Sequence, residues 1–210
     1  MNSLSVFGAS GHAKVVLEII ELNGIQIDQI YDEDPSKDKI MNFPINHNLA
    51  KINSNTFVAI GNNIIRKTIV EKYSLTGPYI KHPSVNLSKH SQVGEGTVLM
   101  AGVSINPDCR IGIHCILNTN CSVDHDCIVE DYVHISPNVS LAGNVKIGEG
   151  THVGIGATII QGLNVGRNCI IGAGAVIIND IPDNSVVVGN PGRVIKKLNS
   201  KKENKQEDER

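Results

Sequence analysis

The residues best suited to chemistry form one short run, Asp124-His125-Asp126. Histidine titrates near neutrality, so it can take and return a proton as a general base. These charges interrupt a stretch built from aliphatics and glycines, which is costly unless the side chains face solvent or a site. A solvated corner is the competing reading, weaker for His125 than for His134 and His152. His47, His82, His90 and His114 read as structural. The five thiols, Cys109, Cys115, Cys121, Cys127 and Cys169, could in principle hold zinc or act as nucleophiles. The first four recur every sixth residue instead of in CxxC pairs, which favours packing by a small, soft side chain. Neither a disulfide nor a metal site is expected, and free buried thiols suit a reducing cytoplasm.

What must position these groups is a repeat. Sixteen consecutive aliphatics stand six residues apart, from Leu87, Val93 and Leu99 through Val123, Val129 and Ile135 to Val165, Ile171 and Ile177. Small residues follow four places later, the cysteines among them. This is the hexapeptide signature of a left-handed parallel β-helix: three hexads close a triangular coil of 18 residues, and about five coils stack at roughly 4.8 Å. Residues 18 apart then lie above one another. His125 stacks between Pro107 and Gly143, and His134 beneath His152 on a different corner. A zinc β-helix of the carbonic-anhydrase kind needs two histidines five residues apart on one coil, and no such pair occurs.

Residues 1–82 read differently. A strand over 4–7 runs into the turn Gly8-Ala9-Ser10-Gly11 and a helix over 12–22; a second strand over 29–31 ends in Asp32-Glu33-Asp34. A third strand over 56–60 leads through Gly61 to Asn62, an N-cap for a helix to about residue 73. Glycines between strand and helix admit backbone amides to a diphosphate, and an acid some 20 residues on can hold a ribose or base. The competing reading is an ordinary βα turn with solvated acids. The fold class is therefore mainly β: a small Rossmann-like βαβ domain over 1–82, a β-helix over 83–198, and a polar tail over 199–210 expected to be disordered.

Lys and Arg number 19 against 21 Asp and Glu, with no basic-aromatic clustering, so nucleic-acid binding is not expected. No apolar run approaches the roughly 20 residues of a membrane span, and no signal peptide precedes the first strand, so a cytoplasmic location is expected.

Several motifs together resemble one family. Gly8-Ala9-Ser10-Gly11-His12, Asp32 and Glu33, Ala59-Ile60-Gly61-Asn62-Asn63 with Arg66, the block from Leu117-Asn118-Thr119 through Asp124-His125-Asp126 to His134 and Ala142-Gly143-Asn144, and the closing Val188-Gly189-Asn190-Pro191-Gly192 are similar to bacterial nucleotide-sugar N-acetyltransferases. That family groups with sialic acid O-acetyltransferases. The resemblance implies a homotrimer with active sites between subunits, acetyl-CoA as co-substrate without metal, and a nucleotide-linked amino-deoxy sugar, acetylated at its 4-amino group for surface glycan biosynthesis. It implies His125 as catalytic base, Asp126 where the family usually carries a glutamate, and Asn118 and His134 in the acceptor pocket. Gly8, Ser10, Gly11, His12, Asp32, Glu33, Gly61 and Asn62 are implied to hold the nucleotide sugar. His134, Gly143, Ile155, Gly172 and Ala173 are implied to hold coenzyme A. The Gly143 amide is expected to receive the oxyanion. The alternatives are a sugar O-acetyltransferase and a non-catalytic nucleotide-sugar-binding protein.

Overall fold

The computed structural model describes residues 3–198. The expected disordered tail, 199–210, lies outside the described residues.

The N-terminal module is a five-stranded sheet, β1 (Ser3–Phe7), β2 (Gln26–Tyr31), β3 (Lys39–Ile40), β4 (Phe43–Asn46) and β5 (Thr56–Val58), in the order β3-β4-β2-β1-β5. Only the β3–β4 pair is antiparallel. Helix α1 (Gly11–Leu22) follows β1 and helix α2 (Asn63–Tyr73) follows β5. The expected elements are present, with β2 starting three residues earlier than read and β5 ending at Val58. The β3–β4 pair has no counterpart in the sequence reading, because its strands are too short to show alternation. Asn62 caps α2 as expected: its Oδ1 accepts from the amides of Ile64 at 3.0 Å and Ile65 at 3.1 Å. Gly8, at φ +113°, is needed for close approach, since a Cβ there would lie 2.9 Å from the Ala59 carbonyl oxygen.

From Asn86 to Ile171 fifteen two-residue strands follow, three per coil, and stack in parallel as a β-helix. Pairing runs at a strict 18-residue register, for example Ser104 with Ser122 and His134 with His152. The inward aliphatics and the small-slot residues form one continuous core. All five cysteines are free and buried there. The small slot has a second role that packing alone did not reveal. Thr97, Thr151, Cys109, Cys115 and Cys127 each donate to the carbonyl 15 residues on, with Thr97 Oγ1 2.8 Å from the Gly112 oxygen and Cys115 Sγ 3.1 Å from that of Glu130.

The three faces differ. One carries the outward column Ile80, Val98, Ile116, His134, His152 and Ile170. Its apolar lower half is buried with Ala13, Val16, Leu17 and Ile20 of α1, which docks the N-terminal module onto this face. The column changes to imidazole where the first turn of α1 begins. At the corners, the second residue takes a left-handed conformation. From Gly96 to Gly174 that position is glycine, asparagine or aspartate, the residues that tolerate it, except at His114 and Tyr132.

Candidate active site

His125 sits on the corner opposite the docked face. Its Nδ1 lies 2.7 Å from Asp126 Oδ2, so the shorter acid reaches the ring. Asp124 Oδ1 accepts the His125 amide at 2.8 Å and the side-chain amide of Asn106, one coil below, at 2.7 Å. The hydrogen bond that His125 donates to Asp126, followed by the charge of Asp124, holds His125 above its ordinary value. With Nδ1 donating to the carboxylate, Nε2 is the basic nitrogen. Gly143 lies directly above: a Cβ there would stand 2.7 Å from His125 Cε1 and 2.8 Å from Nε2. Among the described residues the Gly143 amide has no protein acceptor. An exposed base, a carboxylate that orients it and a free amide on the next coil can together serve acyl transfer.

The second group of residues lies on the docked face. His134 stacks on His152 with ring centroids 4.7 Å apart and planes 7° apart. Both occupy strands on a flat face, which corrects the expectation that they mark a corner. Asn118 Oδ1 accepts the Thr119 amide at 2.8 Å, which turns its NH2 toward His134 Nε2 at 3.2 Å. His12, in the first turn of α1, brings its ring to 6.4 Å from that of His134. His12 Nε2 and His134 Nδ1 are buried without a hydrogen-bond partner. Burial, then the neighbouring charge of Arg66, pushes His12 down to about 4. Burial also pushes His134 down to about 2, with His152, Arg66 and His12 adding to it. The Gly61 carbonyl opposes that shift without reaching bonding geometry. These rings are neutral at pH 7.

The two acids beside the glycine turn part company in the structure. Asp32 is 8% exposed; its Oδ2 accepts the Ala9 amide at 2.7 Å and pairs with Lys37 at 3.1 Å, so it shapes the turn after β1. Gly11 begins α1 in open space, where an added Cβ would meet nothing within 4 Å, and Ser10 caps the helix without a side-chain bond. Gly61 faces His12, with a virtual Cβ 3.8 Å from His12 Cβ. Glu33, by contrast, is drawn to Lys72 at 2.7 Å and Tyr73 at 3.1 Å. Those residues close α2, about 16 Å along the helix from the Gly61-Asn62 turn at 1.5 Å per residue. The Glu33 carboxylate is thus engaged at the end of α2, although its neighbour Asp32 stays with the glycine turn.

Ile155 and Ala173 are exposed one above the other on the corner that follows the docked face. Beneath them the column Asn118, Ser136, Gly154, Gly172 loses its side chains. A Cβ would lie 2.6 Å from the Ile171 carbonyl at Gly154 and 2.9 Å from Val188 Cγ1 at Gly172. A glycine column beside exposed apolar groups is thus set on this corner. Gly143 does not share it, being on the His125 corner. Within one chain the candidate residues thus fall into two halves on opposite sides of the triangular prism. A six-residue side at about 3.3 Å per residue places a corner on the order of 15 Å from the face opposite.

Comparison with known proteins bears on both halves. The N-terminal domain model of PglD matches residues 3–73, and the bacterial transferase hexapeptide model matches 144–179. The acetyltransferase domain of PglB from Neisseria gonorrhoeae is 35% identical, with 93% of this chain and 100% of that one covered, at a TM-score of 0.86. The chain belongs to the bacterial nucleotide-sugar N-acetyltransferases. Within this acetyltransferase family, a histidine-to-asparagine variant of perosamine N-acetyltransferase from Caulobacter crescentus, in complex with CoA and GDP-perosamine, is 35% identical. It covers 94% of this chain and 98% of its own at a TM-score of 0.89. WeeI from Acinetobacter baumannii is 25% identical over 92% of this chain and 100% of its own, at 0.84. A comparison with curated protein sequences gave no match.

Two residues that touch the candidate groups escaped the sequence reading. Asn106 lies 18 residues before Asp124 and could have been found by the stacking register. Ser136, whose Oγ is 2.9 Å from His152 Nε2, looked like an ordinary turn residue. No described helix is long and apolar enough to cross a membrane.

Proposed function

We propose that the protein transfers the acetyl group of acetyl-CoA to the 4-amino group of a nucleotide-linked amino-deoxy sugar, in sites shared between neighbouring copies of a homotrimer. The carrying observation is the separation of His125 and Gly143 from the His12–His134 face within one chain. A base and an acceptor pocket on opposite sides of a prism can meet only if one copy's corner faces another copy's docked face, an arrangement a closed heterologous ring provides. The N-terminal module, through Gly8, Ser10, Gly11, His12, Asp32, Gly61 and Asn62, then holds the nucleotide sugar, and Ile155, Gly172 and Ala173 flank coenzyme A. The perosamine enzyme, with its bound CoA and GDP-perosamine, supports these substrate classes, and both substrates support a cytoplasmic role in surface glycan biosynthesis.

In the reaction, His125 Nε2 accepts a proton as the neutral sugar amine attacks the thioester carbonyl. The Gly143 amide receives the oxyanion. The C–N bond forms, the C–S bond breaks, and His125 returns its proton to the departing thiolate. All five cysteines are buried inside the helix, where no thioester can reach them, so transfer is direct and needs no acyl-enzyme. The test is thiol release from acetyl-CoA with UDP-, dTDP- and GDP-linked 4-amino sugars and with free sialic acid. Release with an amino sugar supports the reading; release only with sialic acid makes the protein an O-acetyltransferase, and no release with any acceptor returns it to a binding role.

A further inference from the structure

The two corner residues that break the glycine, asparagine and aspartate rule, His114 at φ 51° and Tyr132 at φ 57°, stand one coil apart with rings stacked at 5.5 Å. A left-handed conformation costs such residues about 1–2 kcal/mol each, so something must hold them. That group is Arg66, 1% exposed. Its Nε donates to the His114 carbonyl at 2.8 Å and its Nη2 to that of Tyr132 at 2.9 Å. Its Nη1 donates to the Ile60 and Gly61 carbonyls at 3.0 and 3.2 Å. Nη2 also meets Asn63 Oδ1 at 2.8 Å, and Asn63 Nδ2 continues the column to the Gly150 carbonyl at 3.0 Å. His114, Tyr132 and Gly150 are three successive levels of one corner. Every acceptor of Arg66 is neutral, and among the described residues it makes no ion pair.

We propose that Arg66 is a positioning residue of the acceptor site: its fork fixes the Gly61 turn to three stacked corners of the β-helix, and its uncompensated charge lies beneath the His12–His134 face where the sugar diphosphate is received. The fork explains why the turn after β5 sits in register with His134, since Nη1 grips the turn while Nε and Nη2 grip the coils below and at His134's own level. The charge has two effects. It opposes protonation of His12 and His134, which face Arg66 from α1 and from the helix; the other groups facing His134 are His152 and Asn118, neither of which is an acid. It also leaves a net positive field for a dianionic ligand, because no described residue pairs with it. Burial lowers Arg66 itself to about 10, which keeps it charged at neutral pH.

This inference rests on the proposed acetyl transfer, and two readouts separate their failures. Steady-state kinetics of R66K and R66Q should show the nucleotide-sugar KM raised at least about tenfold in both, with the acetyl-CoA KM within about twofold, because the fork touches the acceptor module and not the glycine strip. Imidazole titration by NMR, without substrate, should show His12 and His134 midpoints moved up in R66Q and unchanged in R66K. A folded R66Q with unmoved imidazoles, or folded variants with an unchanged sugar KM or with both KM values raised alike, would overturn the proposal. If R66Q does not fold, R66K decides on the KM split alone. If the wild type turns over no nucleotide sugar, the functional reading fails while the titration still judges Arg66.

Discussion

His125 and His134 are the same residue type one half-coil apart, yet their surroundings drive them in opposite directions. His125 stands exposed on a corner between two aspartates, one of them 2.7 Å away, and is held above its ordinary value. His134 lies under α1 beside an uncompensated guanidinium and two further imidazoles, and is pushed down to about 2. The first can cycle a proton at neutral pH; the second remains a neutral hydrogen-bonding group. The difference comes from what stands beside each ring: two aspartates at the open corner, and burial with a second imidazole and the N-terminal module on the covered face.

The largest effect that would break this contrast is loss of the proposed base. His125→Ala should lower turnover at least about a hundredfold, while circular dichroism and sedimentation show an unchanged fold and assembly. Near-normal turnover would remove His125 from the mechanism.

The covered side should reveal itself in acid. His12 and His114 at about 4 and His134 at about 2 lie below the ordinary 6.5, so below that pH the unfolded chain binds more protons than the folded one. Their contribution is full above pH 6.5 and falls as pH drops toward the folded values, by about 1.4 kcal/mol per pH unit for each ring. Urea midpoints should therefore decline steeply from pH 6.5 to 5, and His134→Asn should flatten part of that slope. A flat profile in the wild type would mean the rings are not buried neutral.

A smaller effect separates the two sides by pH. Asp126→Asn removes the main cause of the raised His125 value, so the acid limb of kcat/KM should move to lower pH with a loss of roughly tenfold in rate; an unmoved limb would assign it to another group. Least of all, Glu33→Ala should leave the nucleotide-sugar KM within about twofold and the urea midpoint nearly unchanged, as expected of an exposed ion pair to Lys72. A large KM change there would restore Glu33 to the site.

Much of this was legible in sequence because the β-helix is nearly one-dimensional: the six-residue period fixed the inward column, and the 18-residue register placed Gly143 over His125 and His134 under His152. The Asn62 cap and both helices were equally readable from local signals. Three features were not. Glu33 stands next to Asp32 in sequence, but a strand end points neighbours to opposite sides, and only the fold shows Lys72 and Tyr73 waiting for it. The Arg66 clamp joins residues 48 and 66 positions apart across two modules, with no local pattern to mark it. The division of the site between two sides followed from the same register, since a displacement of nine residues is half a coil, but it needed the docked module to show which face was covered.

The most direct test of a site built from two copies is mixing. His125→Ala disables the corner half and His134→Ala the docked half, so each homotrimer should be nearly inactive. Co-expressed and co-purified mixed trimers should recover acetyl transfer in one of their three interfaces, about a third of their sites, where an intact corner meets an intact face. Recovery at that level is the result the account predicts; mixed trimers no more active than either parent would contradict it and place the whole reaction within a single chain.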